Sequence, residues 1–439
     1  MHQYVGELVD LTDPALNRLD DLTVEEARTR ILGGTPEAVR AIHGSFAIVA
    51  RDGETVRLAR SLDRPVRYFL AKKAAGPALV VADRIDAIHD WLKDQRLDDQ
   101  FHPSYTRMVP AHYITTIRIV GCPDPSPSYQ RFVVPRPGLL PNDTEAIGRA
   151  YIGALSNEVS TWLRRLPVEA PVGVSFSGGI DSGAVLLVTA HAMRRLGLNL
   201  GRLKAFTLDA GHGPDLAQAR AFLETVDMGL FLEPIEADLS TVDATEVIRI
   251  TEDYKSLDVE CATMGLALMR GIRARYPGWR HLMDGDGGDE NMKDYPIEEN
   301  PELTIRSVVN NPLLYQEGWG VGTMKHSLTY SGGLSRSYVR TYAPARHCGF
   351  ESFSPYTRPA LVELAGSLPW DALTGYDADR LYALKGEIVA AGVRAITGME
   401  MPVFPKRRFQ HGALEAGAMR RALPWSEAEY RRRFLAIYA

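Results

Sequence analysis

Short apolar runs separated by turn residues dominate the first third of the chain. Residues 46–50 form one such run, and Asp52-Gly53 behind it is a hairpin-type turn pair. Runs at 56–59, 68–71, 79–82 and 113–120 continue the pattern, which predicts a β-rich region. Prolines at 123, 125, 127, 135, 137 and 141 then punctuate the stretch 122–141. Proline fixes φ and donates no hydrogen bond, so this stretch reads as an extended connector and a domain boundary near residue 140.

Beyond the connector, strand-like and helix-like patterns alternate. Residues 144–166 read as a helix, 172–176 as a buried strand, and 183–195 as a helix that stops near Gly197. A strand at 203–208, a helix at 215–226 with Asp215 as an acidic N-cap, and a strand at 230–236 follow. A helix at 261–275 and a strand at 281–283 complete the series, and the chain from Tyr295 onward reads as largely helical. This alternation predicts an α/β domain with a parallel sheet whose functional sites lie at the carboxyl ends of the strands. No internal repeat is visible.

Bulk composition narrows the class. The 439 residues are 45% hydrophobic and 24% charged, as expected for folded domains with real cores, and the length favours two of them. A net charge of -5 gives no general reason to expect nucleic acid or a membrane surface as a partner. Cys122, Cys261 and Cys348 stand at neither metal nor redox spacing, and such sparse usage suits a reducing compartment. The amino terminus lacks the pattern of a secretory signal and no apolar run is long enough to span a bilayer, so a cytoplasmic protein is expected.

The segment from Val174 to Ser182 carries the clearest chemistry. A buried strand passes into a helix through Ser177-Gly178-Gly179-Ile180-Asp181-Ser182. The glycines let backbone N–H groups approach an anion, the helix turns its positive end to the same place, and the two serines add donors. Asp181 would repel a bare phosphate, which makes sense if Mg2+ lies between them. No Gly-Lys-Ser/Thr follows, so this is not a kinase or GTPase loop. Taken alone, a Gly-Gly pair after a strand is more often an ordinary tight turn. The serines and the aspartate in register instead resemble the PP-loop of the N-type ATP pyrophosphatases, which cleave ATP between the α and β phosphates.

A second loop, Asp284-Gly285-Asp286-Gly287-Gly288-Asp289-Glu290, follows the strand at 281–283 and resembles the corresponding loop of asparagine synthetases and β-lactam synthetases. Its four acids around three glycines repel one another unless a cation intervenes, and Asp289 opposite Asp181 supplies a second Mg2+ ligand. The resemblance extends to Phe206-Thr207-Leu208, to 353–356 and 368–369, and to Phe404-Pro405-Lys406. It implies ATP and Mg2+ as cofactors and adenine contacts through the backbones of Phe176 and Leu208. Ser177, Gly178, Gly179, Asp181, Ser182, Asp284 and Gly285 become the remaining nucleotide contacts. Lys406 becomes the cation that stabilises the reacting phosphate and the tetrahedral intermediate. The alternative for Lys406 is one lysine of a solvated basic run.

In the first third, 43–47, Asp63-Arg64, Tyr68-Phe69 and 109–113 resemble landmarks of the same family's glutaminase domain, of the Ntn type. His2 stands where the catalytic cysteine belongs, so residues 1–140 are expected to be a reduced, inactive glutaminase-like domain preceding a synthetase domain at 141–439. Asp286 replaces the glutamate of asparagine synthetases and the tyrosine of β-lactam synthetases, and Lys293-Asp294 replaces a Gly-Gly. These departures lie beside the acyl-acceptor site and argue against plain aspartate amidation. The expected activity joins a small-molecule carboxylate to a small-molecule amine, with Asp286 acting on the acyl group and Glu260, Glu290 or Glu351 as base. Rival readings are an inactive scaffold and another adenylating chemistry such as thiolation. The residues do not fix the oligomeric state, and a homo-oligomer stays open.

Overall fold

The computed structural model describes residues 6–118, 127–211, 213–294, 297, 304–310, 338–405, 423 and 425–439. The chain divides into two compact units, one built on residues 1–134 with 434–439 and the other on 135–315 with 339–433.

In the first unit, α1 (Val24–Gly33) opens on a capping box between Thr23 and Glu26. A four-stranded sheet contains β1 (Glu7–Asp10), β4 (Arg67–Ala71), β5 (Ala78–Ala82) and β6 (Arg107–Met108), in the order β1-β5-β4-β6. A second four-stranded sheet contains β2 (Ala47–Asp52), β3 (Thr55–Arg60), β7 (Tyr113–Arg118) and β8 (Ser128–Arg131), in the order β8-β7-β3-β2. The expected hairpin is present, with Asp52 paired to Thr55 across the turn at Gly53. Val49, Val56 and Leu58 of one sheet share a core with Tyr68, Leu79 and Val81 of the other. The opposite faces of β4 and β5 bury Phe69, Val80 and Ala82 against Ile88 and Leu92 of α2 (Ile85–Asp94).

The second unit is organised by a parallel sheet. Its strands are β9 (Val172–Ser175), β10 (Leu203–Asp209), β11 (Leu232–Glu236), β12 (His281–Met283) and β13 (Glu351–Phe353). The five strands run in the order β11-β10-β9-β12-β13, and every pairing is parallel. From β9 the chain builds outward on one side, then crosses back to place β12 on the other. The strand order therefore reverses between β9 and β12, and in open α/β sheets that is where a crevice forms. Gly173 lies at the centre because a Cβ there would come within 2.5 Å of the Phe206 ring and 2.7 Å of Leu282.

Helices α3 (Thr144–Arg165) and α4 (Ile180–Arg195) cover the sheet with α5 (Asp215–Thr225), α6 (Ala244–Thr251) and α7 (Ser256–Arg275). Helix α4 is apolar all round and buried from Ser182 to Ala190, as a helix inside a core must be. Near the end of the unit, α8 (Ala378–Thr397) crosses α3 at two glycines. A Cβ on Gly148 would lie 2.4 Å from the Ile388 carbonyl oxygen, and one on Gly392 would lie 2.2 Å from that of Gly148.

Several element boundaries differ from the sequence reading. Asp215 is the first helical residue of α5 rather than its N-cap, which is Pro214 with no side-chain cap bond. Helix α4 begins at Ile180, so Asp181 and Ser182 stand in its first turn. Helix α7 starts at Ser256, five residues before the apolar run that revealed it. Leu230 is fully exposed in a 3-10 turn, so β11 begins at Leu232. Among the described residues no helix is long and apolar enough to cross a membrane.

Candidate active site

Two loops leave neighbouring strand ends and touch. The first follows β9, where the Phe176 N–H still donates to the Phe206 carbonyl at 2.8 Å and the Thr207 hydroxyl donates to the Phe176 carbonyl at 2.8 Å. Phe176 and Leu208 are both buried. Gly178 then takes a positive φ of 72°, which an ordinary side chain resists, and a Cβ there would meet the Ala219 nitrogen at 2.8 Å. The backbone is thereby pressed against the start of α5. Gly179 caps α4 without a side chain, leaving the first N–H groups of that helix for another acceptor. The Ser177 and Ser182 hydroxyls face each other at 3.3 Å, a long contact between groups that each have capacity for a better one.

The second loop follows β12. Asp284 is buried, and its carboxylate accepts the Asp286 N–H at 3.0 Å and the Ser352 hydroxyl at 3.3 Å. Its side chain thus holds the turn. Gly285 is the point of contact between the loops, since a Cβ there would fall 2.6 Å from the Ser182 nitrogen. Gly288 serves the same close approach, because its Cβ would lie 2.1 Å from Asp181 Oδ1. Lys293 occupies the left-handed region at φ 60°, a conformation that favours glycine. Its amine donates to the Val309 carbonyl at 2.8 Å and lies 4.8 Å from the centre of the Trp370 ring.

Lys385 joins the two loops. It is buried on α8, and its amine donates to Asp181 Oδ2 at 2.6 Å and to Asp289 Oδ1, with Asp294 at 3.6 Å. Two oxygens that share one ammonium lie within about 5 Å of each other, so carboxylates from separate strand ends converge on a single cation position. Burial alone would lower the lysine, yet the field of Asp181, Asp289 and Asp294 holds its pKa well above the usual range. For Asp181 burial dominates and, with Asp289 adding to it, pushes the carboxyl up to about 7 against the pull of Lys385. Sequence reasoning missed Lys385. Its signal was a lone lysine within the buried stripe Leu381, Leu384, Ile388, Val389.

Asp181 Oδ1 is buried with no hydrogen-bond partner, in a space kept open by the missing side chain of Gly288. Among the described residues no three His, Cys, Asp or Glu side chains converge as a closed metal cage. A pair of carboxylates with room beside them suits Mg2+, which keeps several waters and takes phosphate oxygens as further ligands. Asp286 sits one residue beyond Gly285, and burial with the charge of Asp284 raises its pKa well above the ordinary value. Glu351 lies at the amino end of β13, level with His281, and pairs with Arg280 at 2.6 Å. Strand direction therefore removes it from the loops, so it is no base for chemistry there. Lys406 lies outside the described residues.

A parallel α/β domain with glycine-rich loops on both sides of its switch point is thus defined by geometry. Comparison with known proteins points to a class: residues 162–329 are similar to the asparagine synthase family model. It is 31% identical over 142 residues to the nodule asparagine synthetase [glutamine-hydrolyzing] of Pisum sativum, over 30% of this chain and 23% of that protein. It is also 25% identical over 233 residues to asparagine synthetase [glutamine-hydrolyzing] 2 of Lotus japonicus, over 51% of this chain and 35% of that one. The matched region thus spans about a quarter to a third of the length of these relatives.

Proposed function

We propose that this chain is an AMP-forming carbon–nitrogen ligase that adenylates a carboxylate, releases pyrophosphate and passes the acyl group to an amine. The observation that carries the reading is the convergence of Asp181 and Asp289 on one cation position beside the Ser177–Ser182 turn.

In this reading ATP lies between the two loops, with the adenine near the backbones of Phe176 and Leu208. The free N–H groups at the start of α4, the Gly178-Gly179 backbone and the hydroxyls of Ser177 and Ser182 receive the diphosphate. Asp181 and Asp289 would hold Mg2+, which when bound neutralises charge on the departing diphosphate. The substrate carboxylate forms a bond to the α phosphorus as the bond to the β phosphate breaks, and pyrophosphate carries away the electron pair. The amine then attacks the acyl carbon and AMP leaves. Lys406 contributes positive charge at the α phosphate and at the tetrahedral intermediate. Asp284 and Gly285 shape the wall of the nucleotide site, and Asp286 faces the acyl group. Glu290 and Glu260 remain as bases for the amine.

Residues 1–140 are read as a reduced glutaminase-like domain and 141–439 as the synthetase domain, in a cytoplasmic protein. Glutamine hydrolysis has no part in this proposal. Burial pushes the Cys261 thiol up to about 11 and raises that of Cys348, so neither is an activated nucleophile.

ATP–pyrophosphate exchange with a panel of carboxylates tests the reading. Exchange that depends on one acid and is abolished by Asp181→Ala is expected. Normal exchange in Asp181→Ala refutes the assignment, and silence with every acid while ATP still binds favours an inactive scaffold. Lys406→Ala should keep ATP binding and slow turnover by orders of magnitude.

A further inference from the structure

The edge of the parallel sheet opposite the two loops carries a cavity of its own. Helix α3 ends there before β9 begins, and α4 ends there before the chain enters β10. Asn157, Ser160, Thr161 and Arg164 stand at positions i, i+3, i+4 and i+7 of α3, one stripe along its last turns. With Arg195 and Leu196 at the end of α4 they line a groove of about 360 Å³. That volume lies within the ~300–1,000 Å³ range of small-molecule sites. Asp181 and Arg195 are fourteen residues apart on one helix, about 21 Å at ~1.5 Å per residue, so the groove is clear of the active-site turn.

The lining is polar and carries one sign of charge. Of its six residues two are arginines, three are neutral donors and none is acidic. Among the described residues, none of these five polar side chains makes a hydrogen bond or an ion pair. The ordinary role of an arginine in a last turn is to offset the helix macrodipole, which places about half a negative charge at each carboxyl end. Two guanidinium groups exceed that by about one full charge, and Arg165 and Arg194 beside them add more. The surplus is felt nearby: burial, and then the charges of Arg195 and Arg194, hold the His191 imidazole below its ordinary range. A concave surface that joins unengaged guanidinium groups to hydroxyl and amide donors suits an oxyanion. A phosphate monoester carries about -1.5 to -2 charge at neutral pH and three acceptor oxygens, a better match to two guanidinium groups than a single carboxylate.

We propose that this groove is a second, non-catalytic site that binds a small phosphate monoester. The phosphoryl group takes the guanidinium groups of Arg164 and Arg195 with Asn157, Ser160 and Thr161 as further donors, and Leu196 is the apolar contact for the organic part. The inference stands apart from the ligase reading, since it uses no residue of the two loops. Helix α4 joins the two places, with Arg195 at one end and Asp181 and Ser182 in the first turn at the other.

The test is isothermal titration calorimetry of the full chain with glycerol 3-phosphate at fixed ionic strength, against glycerol and against succinate. Saturable binding of the phosphate ester is expected, with no heat from glycerol and affinity for succinate at least tenfold weaker. Arg164→Gln and Arg195→Gln should each weaken the ester at least tenfold, because a charge-assisted contact is lost. Both side chains are exposed, so both variants should melt within about a degree of the parent. Ser182→Ala should bind the ester as the parent does. The proposal is overturned if glycerol 3-phosphate gives no saturable heat, if both glutamine variants bind like the parent, or if succinate binds as tightly. Loss of binding in Ser182→Ala overturns it too, since the phosphate then sits at the active-site turn. None of these outcomes depends on ATP–pyrophosphate exchange, so the groove and the ligase reading stand or fall separately.

Discussion

Lys385→Met offers a direct probe of the converging carboxylates. Methionine keeps most of the side-chain volume, so the change isolates the charge. The native amine is 2% exposed and holds Asp181 and Asp289 together, with Asp294 at 3.6 Å. Removing one partner of a buried ionic cluster costs about 3–5 kcal/mol, because Asp294 and most of Asp181 stay shielded from water and their repulsion of the part-exposed Asp289 is no longer balanced. For a unit of this size about 4 kcal/mol lowers the melting temperature by roughly 5–10 °C. A divalent cation can replace the lost charge between the same two carboxylates. Mg2+ should then stabilise Lys385→Met several times more than it stabilises the parent, where the ammonium competes for the position. The assay is thermal denaturation across a Mg2+ titration, with sodium chloride matching ionic strength. An unchanged melting temperature, or equal Mg2+ stabilisation of both proteins, would falsify the view that Lys385 occupies the cation position.

Other substitutions reach different parts of the arrangement. Gly288→Ala places a Cβ 2.1 Å from Asp181 Oδ1, so it should weaken Mg2+-dependent ATP binding at least tenfold in calorimetry, and native affinity would contradict the close approach. Gly148→Ala drives a methyl group into the Ile388 carbonyl at the crossing of α3 and α8. It should cost about 1–3 kcal/mol in denaturant unfolding, and a neutral result would dismiss the crossing. Lys293 is pushed down to about 7 by burial, from an ordinary value of 10.5. Between those values the unfolded chain binds a proton that the folded chain does not, so stability rises with pH by up to about 1.4 kcal/mol per unit. Lys293→Met should remove that slope from pH 7 upward, and identical pH profiles would show the amine to be charged in the fold.

The parts legible in sequence were those whose signal is local. A strand leading into Ser-Gly-Gly-Ile-Asp-Ser declares both the turn and the helix, and the alternation around it predicts the parallel sheet. Boundaries failed where polar residues open a helix, as at Ser256-Leu257-Asp258, because periodicity sees only the apolar stripe that begins later. The fifth strand escaped because Glu351-Ser352-Phe353 carries a single apolar residue, whereas the equally short His281-Leu282-Met283 carries two in a row. Lys385 escaped for a different reason: its importance lies in contacts with residues 96 and 204 positions away, which no window along the chain contains. Lys293 in place of a glycine looked like a change of chemistry. The positive φ and the Val309 carbonyl give it a backbone and packing role as well.

Because β9 and β12 are hydrogen-bonded neighbours with Val174 level with Met283, the two loops at their ends emerge one strand spacing apart whatever the intervening chain does. The later part of the segment between them, which carries α7, can change its side chains without altering that spacing. Recognition of a new acid or amine can therefore arise by rewriting α7 and its neighbours, while the phosphate-handling turns remain as they are.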